Sequence, residues 1–349
     1  MNRRQFLTTS AAAAAVTATT GPVILGAQDK AGSKLPRVGS GEHTYECHHD
    51  WGQLPNGLEW QTTHNVAVDS QGQVYITHQG IGKNADIDTT FVFDPNGKFV
   101  RSFGKEWWGG GHGIDIRKDG GEEFLYLTNT WKSPKVVKAT LTGETVWKKE
   151  RPEAKEYENP KAAYNPTNVA FAPDGSFFIG DGYGSNYMMK YDQEGKLLKV
   201  FGGRGTEDGK FQTPHGNWVD TRDPANPVLV VCDRANARLQ AFDLDGKFLE
   251  ARRDVLFPAH IDIYKDVLMV PDLHARISLF DKNNTLIVHL GDDAAWRRKV
   301  LTTGVRGRPK DWLPGKFVHP HDACFDKDGN IFVAEWVATG RITLLKKVG

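Results

Sequence analysis

The sequence predicts an all-β fold, a six-bladed β-propeller, and three observations support this. Glycine (37 residues) and aromatic residues (11%) are frequent, which suits short strands and tight turns better than helices. The stretch from Pro166 to Phe201 reads as four short strands joined by Asp/Gly turns, the order of one propeller blade. The same unit recurs from positions 64, 112, 167, 215, 260 and 321, at spacings of 45 to 61 residues. A propeller repeat is roughly 40–50 residues, so the spacings fit six blades with two loop insertions.

The chain divides into three predicted regions. Residues 1–27 are predicted to be a twin-arginine signal, because Arg3-Arg4 precedes an Ala- and Thr-rich apolar run with small residues at its end. An ordinary secretory signal is the alternative, and the run is too short to span a membrane stably. Residues 28–60 are an N-terminal extension, either a closing strand or a cap, and 61–349 form the propeller. We therefore expect a periplasmic or extracellular protein without a membrane span in its mature chain.

The blades differ in their connections. The spacing of 61 residues before the last blade contains an Arg/Lys/Gly/Pro-rich insertion at about 292–316, which is expected to cross one rim of the propeller.

The formal net charge is only +1, with 44 basic and 43 acidic residues, so a nucleic-acid partner is not expected. Three cysteines allow at most one disulfide and form no thiolate zinc motif. The expected partner is a small-molecule or peptide substrate, and the chain is expected to be a monomer.

The opening position of a blade is histidine in five blades and threonine in the other one. Because the inner strand of every blade runs along the central channel, equivalent positions point at a common axis. Alternate blades supply His112, His215 and His321, and three imidazoles with an open position are typical of a catalytic zinc site. His64 and His260 either line the channel or complete a larger ligand set. The metal could be zinc or another divalent transition metal, and inward histidines that bind only water are the alternative.

Several motifs resemble one enzyme family. They are Asn165 to Val169, Gly180-Asp-Gly-Tyr183, Gly209 to His215, Cys232 to Gln240, His319-Pro-His321-Asp322 and Gly111 to Ile114. From about His64 to Gly349 the chain resembles NHL-repeat propellers, and within them the peptidyl-α-hydroxyglycine α-amidating lyases. The resemblance implies zinc on His112, His215 and His321, a catalytic Tyr183, an essential Arg234 and a structural calcium held in part by Asp322.

The chain also departs from that family. Gln79 stands where the family has an arginine that grips the substrate carboxylate, and His319 stands where it has a methionine. Gly184 follows Tyr183 where the family has a disulfide cysteine. His319 and His321 are two apart on a predicted strand and would share a face, so His319 is a candidate fourth ligand or a substrate contact.

The resemblance implies a lyase that breaks the C–N bond of a carbinolamine, with Tyr183 taking the proton of the substrate hydroxyl and Arg234 as a nearby cation. Two alternatives remain open: a non-catalytic propeller that binds a ligand or protein and uses the metal as a staple, and a related metal-dependent hydrolase. Asp181, Asp233 and Asp272 recur after the second strand of a blade, where they are expected to brace turns. Arg238 is expected to be structural.

Overall fold

Six antiparallel sheets surround a central channel in the computed structural model, which describes residues 35–80 and 87–349. The predicted six-bladed propeller is confirmed. The N-terminal strands and blades one and two comprise β1 (Arg37–Ser40), β2 (His43–His48), β3 (Thr63–Val68), β4 (Val74–His78), β5 (Thr90–Phe93), β6 (Phe99–Phe103), β7 (Gly111–Asp119), β8 (Glu122–Asn129), β9 (Lys135–Thr140) and β10 (Thr145–Lys149). Blades three and four comprise β11 (Asn168–Phe171), β12 (Phe177–Gly180), β13 (Tyr187–Tyr191), β14 (Leu197–Gly202), β15 (Pro214–Asp220), β16 (Val228–Asp233), β17 (Arg238–Phe242) and β18 (Phe248–Arg252). Blades five and six comprise β19 (Asp262–Tyr264), β20 (Val267–Asp272), β21 (Arg276–Phe280), β22 (Leu286–Leu290), β23 (Pro320–Phe325), β24 (Ile331–Glu335) and β25 (Arg341–Lys347).

The Asp/Gly turns that marked the repeat close β-hairpins within the blades. In blade one the carboxylate of Asp94 accepts the backbone N–H groups of Asn96 and Lys98, each at 2.9 Å. Gly97 has φ 83°, a left-handed conformation that glycine adopts without strain. An aspartate accepts backbone N–H groups in the same way at Asp69, Asp192, Asp243, Asp281 and Asp326. This local pairing explains why the repeat is visible in the sequence.

The propeller is closed by strands from both ends of the described chain. In the sixth sheet the order is β1-β2-β25-β24-β23, so the two N-terminal strands lie outside the C-terminal strand. β2 pairs antiparallel with β25, and Cys47 lies opposite Leu345. The described part of residues 28–60 therefore supplies the two outer strands of blade six, while the predicted signal over 1–27 lies outside the described residues. Cys47, Cys232 and Cys324 are free thiols.

The hydrophobic core lies between neighbouring blades. Tyr75 and Val92 of blade one pack with Ile114 and Leu125 of blade two, and all four side chains are buried. Equivalent clusters fill the other five blade interfaces. Truncating a large buried side chain in such a cluster typically costs about 2–5 kcal/mol. This packing fixes each inner strand relative to its neighbours and therefore fixes the width of the channel.

The insertion before blade six folds into the one α-helix among the described residues. Helix α1 spans Ala294–Thr302, and the Asp293 carboxylate caps it by accepting the N–H of Trp296 at 2.9 Å. Two 3₁₀ turns follow at Val305–Gly307 and Pro309–Asp311. Trp296 and Val305 are buried against residues at the ends of blades five and six. The insertion is thus packed on the rim, and it carries charged residues to one end of the channel.

Candidate metal centre

Four inner strands carry a register irregularity at their opening histidine. The pairing skips between Thr63 and Val66, between Gly111 and Ile114, between Pro214 and Asn217, and between Pro320 and Asp322. An extra residue in one strand bends the backbone and redirects its side chain. The residues redirected in this way are His64, His112, His215 and His321. The openings of blades three and five, at Thr167 and His260, lie outside their strands.

The four imidazoles converge in the channel. The ring centroids of His112, His215 and His321 are 4.9, 4.9 and 4.7 Å apart. The His64 ring lies 5.0 Å from both His112 and His321. All four side chains are buried. The structure therefore brings together the three histidines of alternate blades and adds His64 to them.

One hydrogen-bonding arrangement orients three of these rings. Nδ1 of His112 donates to the carbonyl oxygen of Thr167 at 3.0 Å, Nδ1 of His215 to Ala259 at 2.6 Å, and Nδ1 of His321 to His64 at 3.0 Å. Each acceptor belongs to the opening of the next blade. Because a carbonyl oxygen can only accept, the proton is on Nδ1 and Nε2 is left with its lone pair. A partner on the second ring nitrogen is the usual way in which proteins orient metal-binding histidines.

Two glycines allow these hydrogen bonds to form. A Cβ on Gly113 would lie 2.5 Å from the Thr167 carbonyl oxygen, and one on Gly216 would lie 2.6 Å from that of Ala259. These are the acceptors of the preceding histidines. The His-Gly pairs of blades two and four therefore let the next blade approach closely enough to hold the ring.

The chemistry of the donors fits a divalent transition metal. Nε2 of His112 and Nε2 of His321 are buried without a hydrogen-bond partner, which is costly unless a ligand meets them. Burial lowers the pKa of His112 to about 3 and lowers the pKa of His215 and His321 well below the usual value, so the rings are neutral as metal ligands must be.

The geometry offers two candidates for the third metal ligand, His64 and His215. Ligand atoms of His64, His112 and His321 all lie within 4.8 Å of one another. His215 lies closer to His112 and His321 by ring centroid, but its Nε2 is 3.1 Å from the hydroxyl of Tyr183. His64 is oriented differently, because its Nδ1 has no partner. His112 and His321 are common to both sets.

Tyr183 and Arg234 meet directly above the histidines. Nη2 of Arg234 donates to the phenolic oxygen of Tyr183 at 3.0 Å, and the guanidinium also lies 5.1 Å from the centre of the tyrosine ring. Since Nε2 of His215 can only accept, the Tyr183 hydroxyl donates to it. The two predicted catalytic residues therefore contact each other and one predicted ligand. A surface cleft of about 330 Å³ adjoins them and is lined in part by Tyr183 and Gln212.

The channel mouth is formed by the loop after the second strand of each blade. Six residues follow these strands within three positions: Gln79, Trp131, Tyr183, Arg234, His274 and Trp336. Trp131 is 40% exposed and its ring lies 5.3 Å from Tyr183 and 5.6 Å from His112, so it covers the centre and can meet a ligand. Sequence reasoning missed Trp131 and Trp336, although each follows the second strand of its blade, as Tyr183 does in blade three.

Buried acids brace these loops, as the sequence predicted. Asp181 accepts the N–H groups of Asn165 at 2.6 Å and Ser185 at 2.7 Å, on either side of Tyr183. Asp233 accepts from Nε of Arg238 at 2.7 Å, and this ion pair is buried. Asp272 accepts the N–H groups of Leu256, Phe257 and His274. These residues position the mouth without entering it.

His319 does not have the strand geometry that the sequence predicted. It precedes β23 and has φ 53°, and the register skips at His321, so the two histidines do not alternate along one regular strand. Nδ1 of His319 donates to the carbonyl of Leu273 at 2.7 Å, and its ring lies 5.9 Å from Trp336. The backbone of Gln79 is fixed by Thr62 at 3.1 Å. Both residues lie at the rim, outside the histidine cluster.

His260 and Asp322 lie in a second, acidic part of the channel. Nε2 of His260 is 3.5 Å from Oδ1 of Asp322. Burial, together with Asp115 and Asp262, raises the pKa of Asp322 well above its usual range. A cavity of about 110 Å³ is lined by Asp115, His260 and Asp262 among others. Carboxylate oxygens are ligands for hard cations such as Ca²⁺, in contrast to the imidazole cluster.

Three known proteins show what the chain is similar to in sequence. Over 207 residues the chain is 31% identical to NHL repeat-containing protein 3 of Mus musculus, covering 56% of this chain and 57% of that protein. Over 308 residues it is 28% identical to peptidylglycine alpha-amidating monooxygenase of Rattus norvegicus, covering 77% and 29% respectively. Over 184 residues it is 35% identical to peptidyl-alpha-hydroxyglycine alpha-amidating lyase 1 of Drosophila melanogaster, covering 49% and 33%.

The chain is a homologue of NHL-repeat proteins and of the amidating enzymes. It spans just over half of the mouse NHL-repeat protein and a third or less of these two amidating enzymes. Residues 1–20 match the TAT (twin-arginine translocation) pathway signal sequence, so this NHL-repeat homologue is exported to the periplasm or the extracellular space. Within the described residues, no helix is long and apolar enough to cross a membrane.

Solved structures show the same fold at low sequence identity. A catalytically inactive virginiamycin B lyase from Staphylococcus aureus, solved with quinupristin, has a TM-score of 0.51 at 14% identity and covers 87% of this chain and 100% of its own. A protein of unknown function from Bacteroides thetaiotaomicron has a TM-score of 0.59 at 12% identity, covering 86% and 75%. At these identities the likeness concerns the fold alone.

Proposed function

We propose that this exported propeller is a metal-dependent lyase that cleaves the C–N bond of an α-hydroxyglycine-type carbinolamine, giving an amide and glyoxylate. One observation carries the proposal. Three neutral imidazoles converge in the channel, and a tyrosine hydroxyl that accepts a hydrogen bond from an arginine lies 3.1 Å from one of them. The relationship to amidating enzymes supports the same chemistry.

His112, His215 and His321 would hold the metal. Their rings are oriented in the same way: Nδ1 donates a hydrogen bond to a carbonyl oxygen of the next blade, and Nε2 faces inwards. When bound, a divalent metal supplies a Lewis acid that increases the acidity of an alcohol group. The three protein ligands are neutral, so they leave its full charge in place.

Tyr183 is the base in this proposal. In its deprotonated form its oxygen takes the proton of the substrate hydroxyl, and the C–O bond becomes a carbonyl as the C–N bond breaks. The same proton then passes from Tyr183 to the leaving nitrogen, which becomes the amide. Arg234 stabilises negative charge on the phenolic oxygen through its hydrogen bond of 3.0 Å. Trp131 covers the centre from the mouth and limits the access of water.

Asp322 is proposed to hold a structural Ca²⁺ in the acidic part of the channel. Its Oδ2 accepts the N–H of Val66 at 2.9 Å, so the carboxylate also joins blade six to blade one. Asp115 and Asp262 share the neighbouring cavity. A cation there would offset the mutual repulsion of these buried carboxylates.

The proposal is tested by measuring metal content and glyoxylate release together. Purified mature protein should contain about one zinc or other transition metal per chain and should release glyoxylate from N-benzoyl-α-hydroxyglycine. His215→Ala should lose both properties. His48→Ala is the matched control, because β2 is separated from the inner strand of blade six by β25 and β24.

Two outcomes contradict the proposal at different points. Protein that binds the metal and releases no glyoxylate is not this lyase, although its metal centre stands. Protein in which neither His112→Ala nor His321→Ala changes the metal content has no imidazole metal centre.

A further inference from the structure

The insertion before blade six places an arginine at the channel mouth. The guanidinium carbon of Arg306 lies 3.5 Å from the centre of the Trp336 ring, and its Nε donates to the Trp336 carbonyl oxygen at 2.8 Å. Trp336 is the mouth residue of blade six, and its N–H donates to the carbonyl of His319 at 2.8 Å. The stacked tryptophan and the carbonyl hold the plane of the guanidinium in a fixed orientation.

Arg306 packs on Trp336 of blade six, across the channel from Tyr183. In a ring of six blades, blade six lies opposite blade three, which carries Tyr183, and Arg234 follows in blade four. His319, whose carbonyl oxygen accepts the N–H of Trp336, precedes β23, the strand that carries His321. Arg306 is therefore held beside the start of the strand that supplies one of the clustered histidines.

Arg306 has no acidic partner among the described residues, unlike the buried Arg238 and Arg341. Arg238 pairs with Asp233 and Arg341 pairs with Glu335, each at 2.7 Å or less. For Arg306 no carboxylate lies within 4.0 Å among residues 35–80 and 87–349, and its two Nη atoms make no hydrogen bond to these residues. Arg308, two residues further on, is more exposed and pairs with Asp311 at 2.6 Å. A half-buried arginine that keeps two donors free is suited to an external planar anion.

We propose that Arg306 is the substrate-binding residue of this centre, and that its two Nη atoms bind the carboxylate of the substrate. This proposal rests on the proposed function, in which the reacting carbon carries a carboxylate. Gln79, at the mouth of blade one, has no charge to offer this group. The insertion supplies the missing cation from the boundary between blades five and six instead, and this selects acidic substrates over esters and amides of the same shape.

The test is equilibrium binding of two stable probes to the metal-loaded protein. N-benzoylglycine carries the carboxylate without a cleavable hydroxyl, and its methyl ester has the same shape without the charge. We expect the wild type to prefer the acid and Arg306→Gln to lose about 10- to 100-fold in affinity for the acid, the range for hydrogen bonds to a charged group. Affinity for the ester should not change. Arg308→Gln, on the same insertion, should bind both probes as the wild type does.

Arg306→Lys keeps the positive charge without the paired guanidinium donors, so it should bind the acid more tightly than Arg306→Gln and less tightly than the wild type. Melting temperatures of the variants establish that they are folded. The proposal is overturned if the wild type binds acid and ester equally, or if folded Arg306→Gln keeps the preference for the acid. Glyoxylate release from N-benzoyl-α-hydroxyglycine is measured separately. An acid preference that depends on Arg306 without any glyoxylate release removes the lyase function and leaves the carboxylate site in place.

Discussion

The hydroxyl of Tyr183 lies 3.1 Å from Nε2 of His215, so the mouth loop of blade three contacts the inner strand of blade four. Because Nδ1 of His215 donates to Ala259, the tyrosine must be the donor in this contact. The lone pair that His215 would offer to a metal is therefore the one that the Tyr183 proton occupies. A metal on Nε2 of His215 would exclude this hydrogen bond and would leave the phenolic oxygen free for a substrate.

Tyr183→Phe should separate metal binding from catalysis. Glyoxylate release should fall by about 10²- to 10⁴-fold, the usual contribution of a general base. Metal affinity should stay the same or rise, because the competing proton on His215 is gone. Tyr187→Phe is the control, since the Tyr187 ring packs on Tyr157. A Tyr183→Phe protein with wild-type turnover would remove the tyrosine from the mechanism.

His215→Ala and His64→Ala decide which histidine is the third ligand. Loss of a residue that only hydrogen-bonds a metal ligand typically lowers metal affinity by roughly 10- to 100-fold. We expect His215→Ala to lower zinc affinity by more than this, and His64→Ala to lower it by less. Competition with a chromogenic zinc chelator measures both affinities on the same scale. The reverse order of effects would assign the centre to His64, His112 and His321, the set whose ligand atoms lie within 4.8 Å of one another.

The sequence predicted the propeller because each blade repeats its chemistry locally. The Asp/Gly turns close hairpins through hydrogen bonds between residues close together in sequence, so they can be recognised without knowledge of the tertiary structure. The opening histidines were found because six equivalent positions share one axis. Trp131, Tyr183 and Trp336 each follow the second strand of their own blade. Aligning the six blades at the end of this strand would have identified both tryptophans.

Other features could not be predicted from the pattern. The skip in register at His321 and the positive φ of His319 are local backbone features that an alternating strand pattern does not show. The alternation of a regular strand therefore placed His319 wrongly. The insertion carried no repeat signal, and only its packing on Trp336 places Arg306 at the mouth.

His49 should make stability depend on pH. Its Nε2 accepts the N–H of Gly315 at 3.0 Å, and burial lowers the pKa of His49 to about 3 from 6.5. Between these values the unfolded chain binds more protons than the folded one, so the free energy of unfolding falls as the pH drops from 6.5 towards 3. One proton contributes a slope of up to about 1.4 kcal/mol per pH unit.

His49→Gln keeps an acceptor for Gly315 and removes the ionisation. Urea unfolding at pH 4, 5 and 6 should show a shallower fall in stability for the variant than for the wild type. Between pH 7 and 8 the two curves should run parallel, because the imidazole is then neutral in both states. Curves that are also parallel from pH 4 to 6 would show that His49 does not titrate as its burial implies.

Gly216→Ala should weaken the metal centre although glycine 216 cannot bind a metal. An added Cβ would meet the Ala259 carbonyl oxygen at 2.6 Å and the His260 Cα at 2.5 Å, so blade five must move away. Overpacking of this kind typically costs about 1–3 kcal/mol. The displaced carbonyl is the acceptor for Nδ1 of His215, so zinc affinity should also fall by about 10- to 100-fold. Gly307→Ala is the control, since a Cβ there meets nothing within 4 Å. If Gly216→Ala lowers the melting temperature and leaves zinc affinity unchanged, the backbone carbonyl of the next blade does not orient the ligand, and the shared presentation of the three histidines has no role in binding.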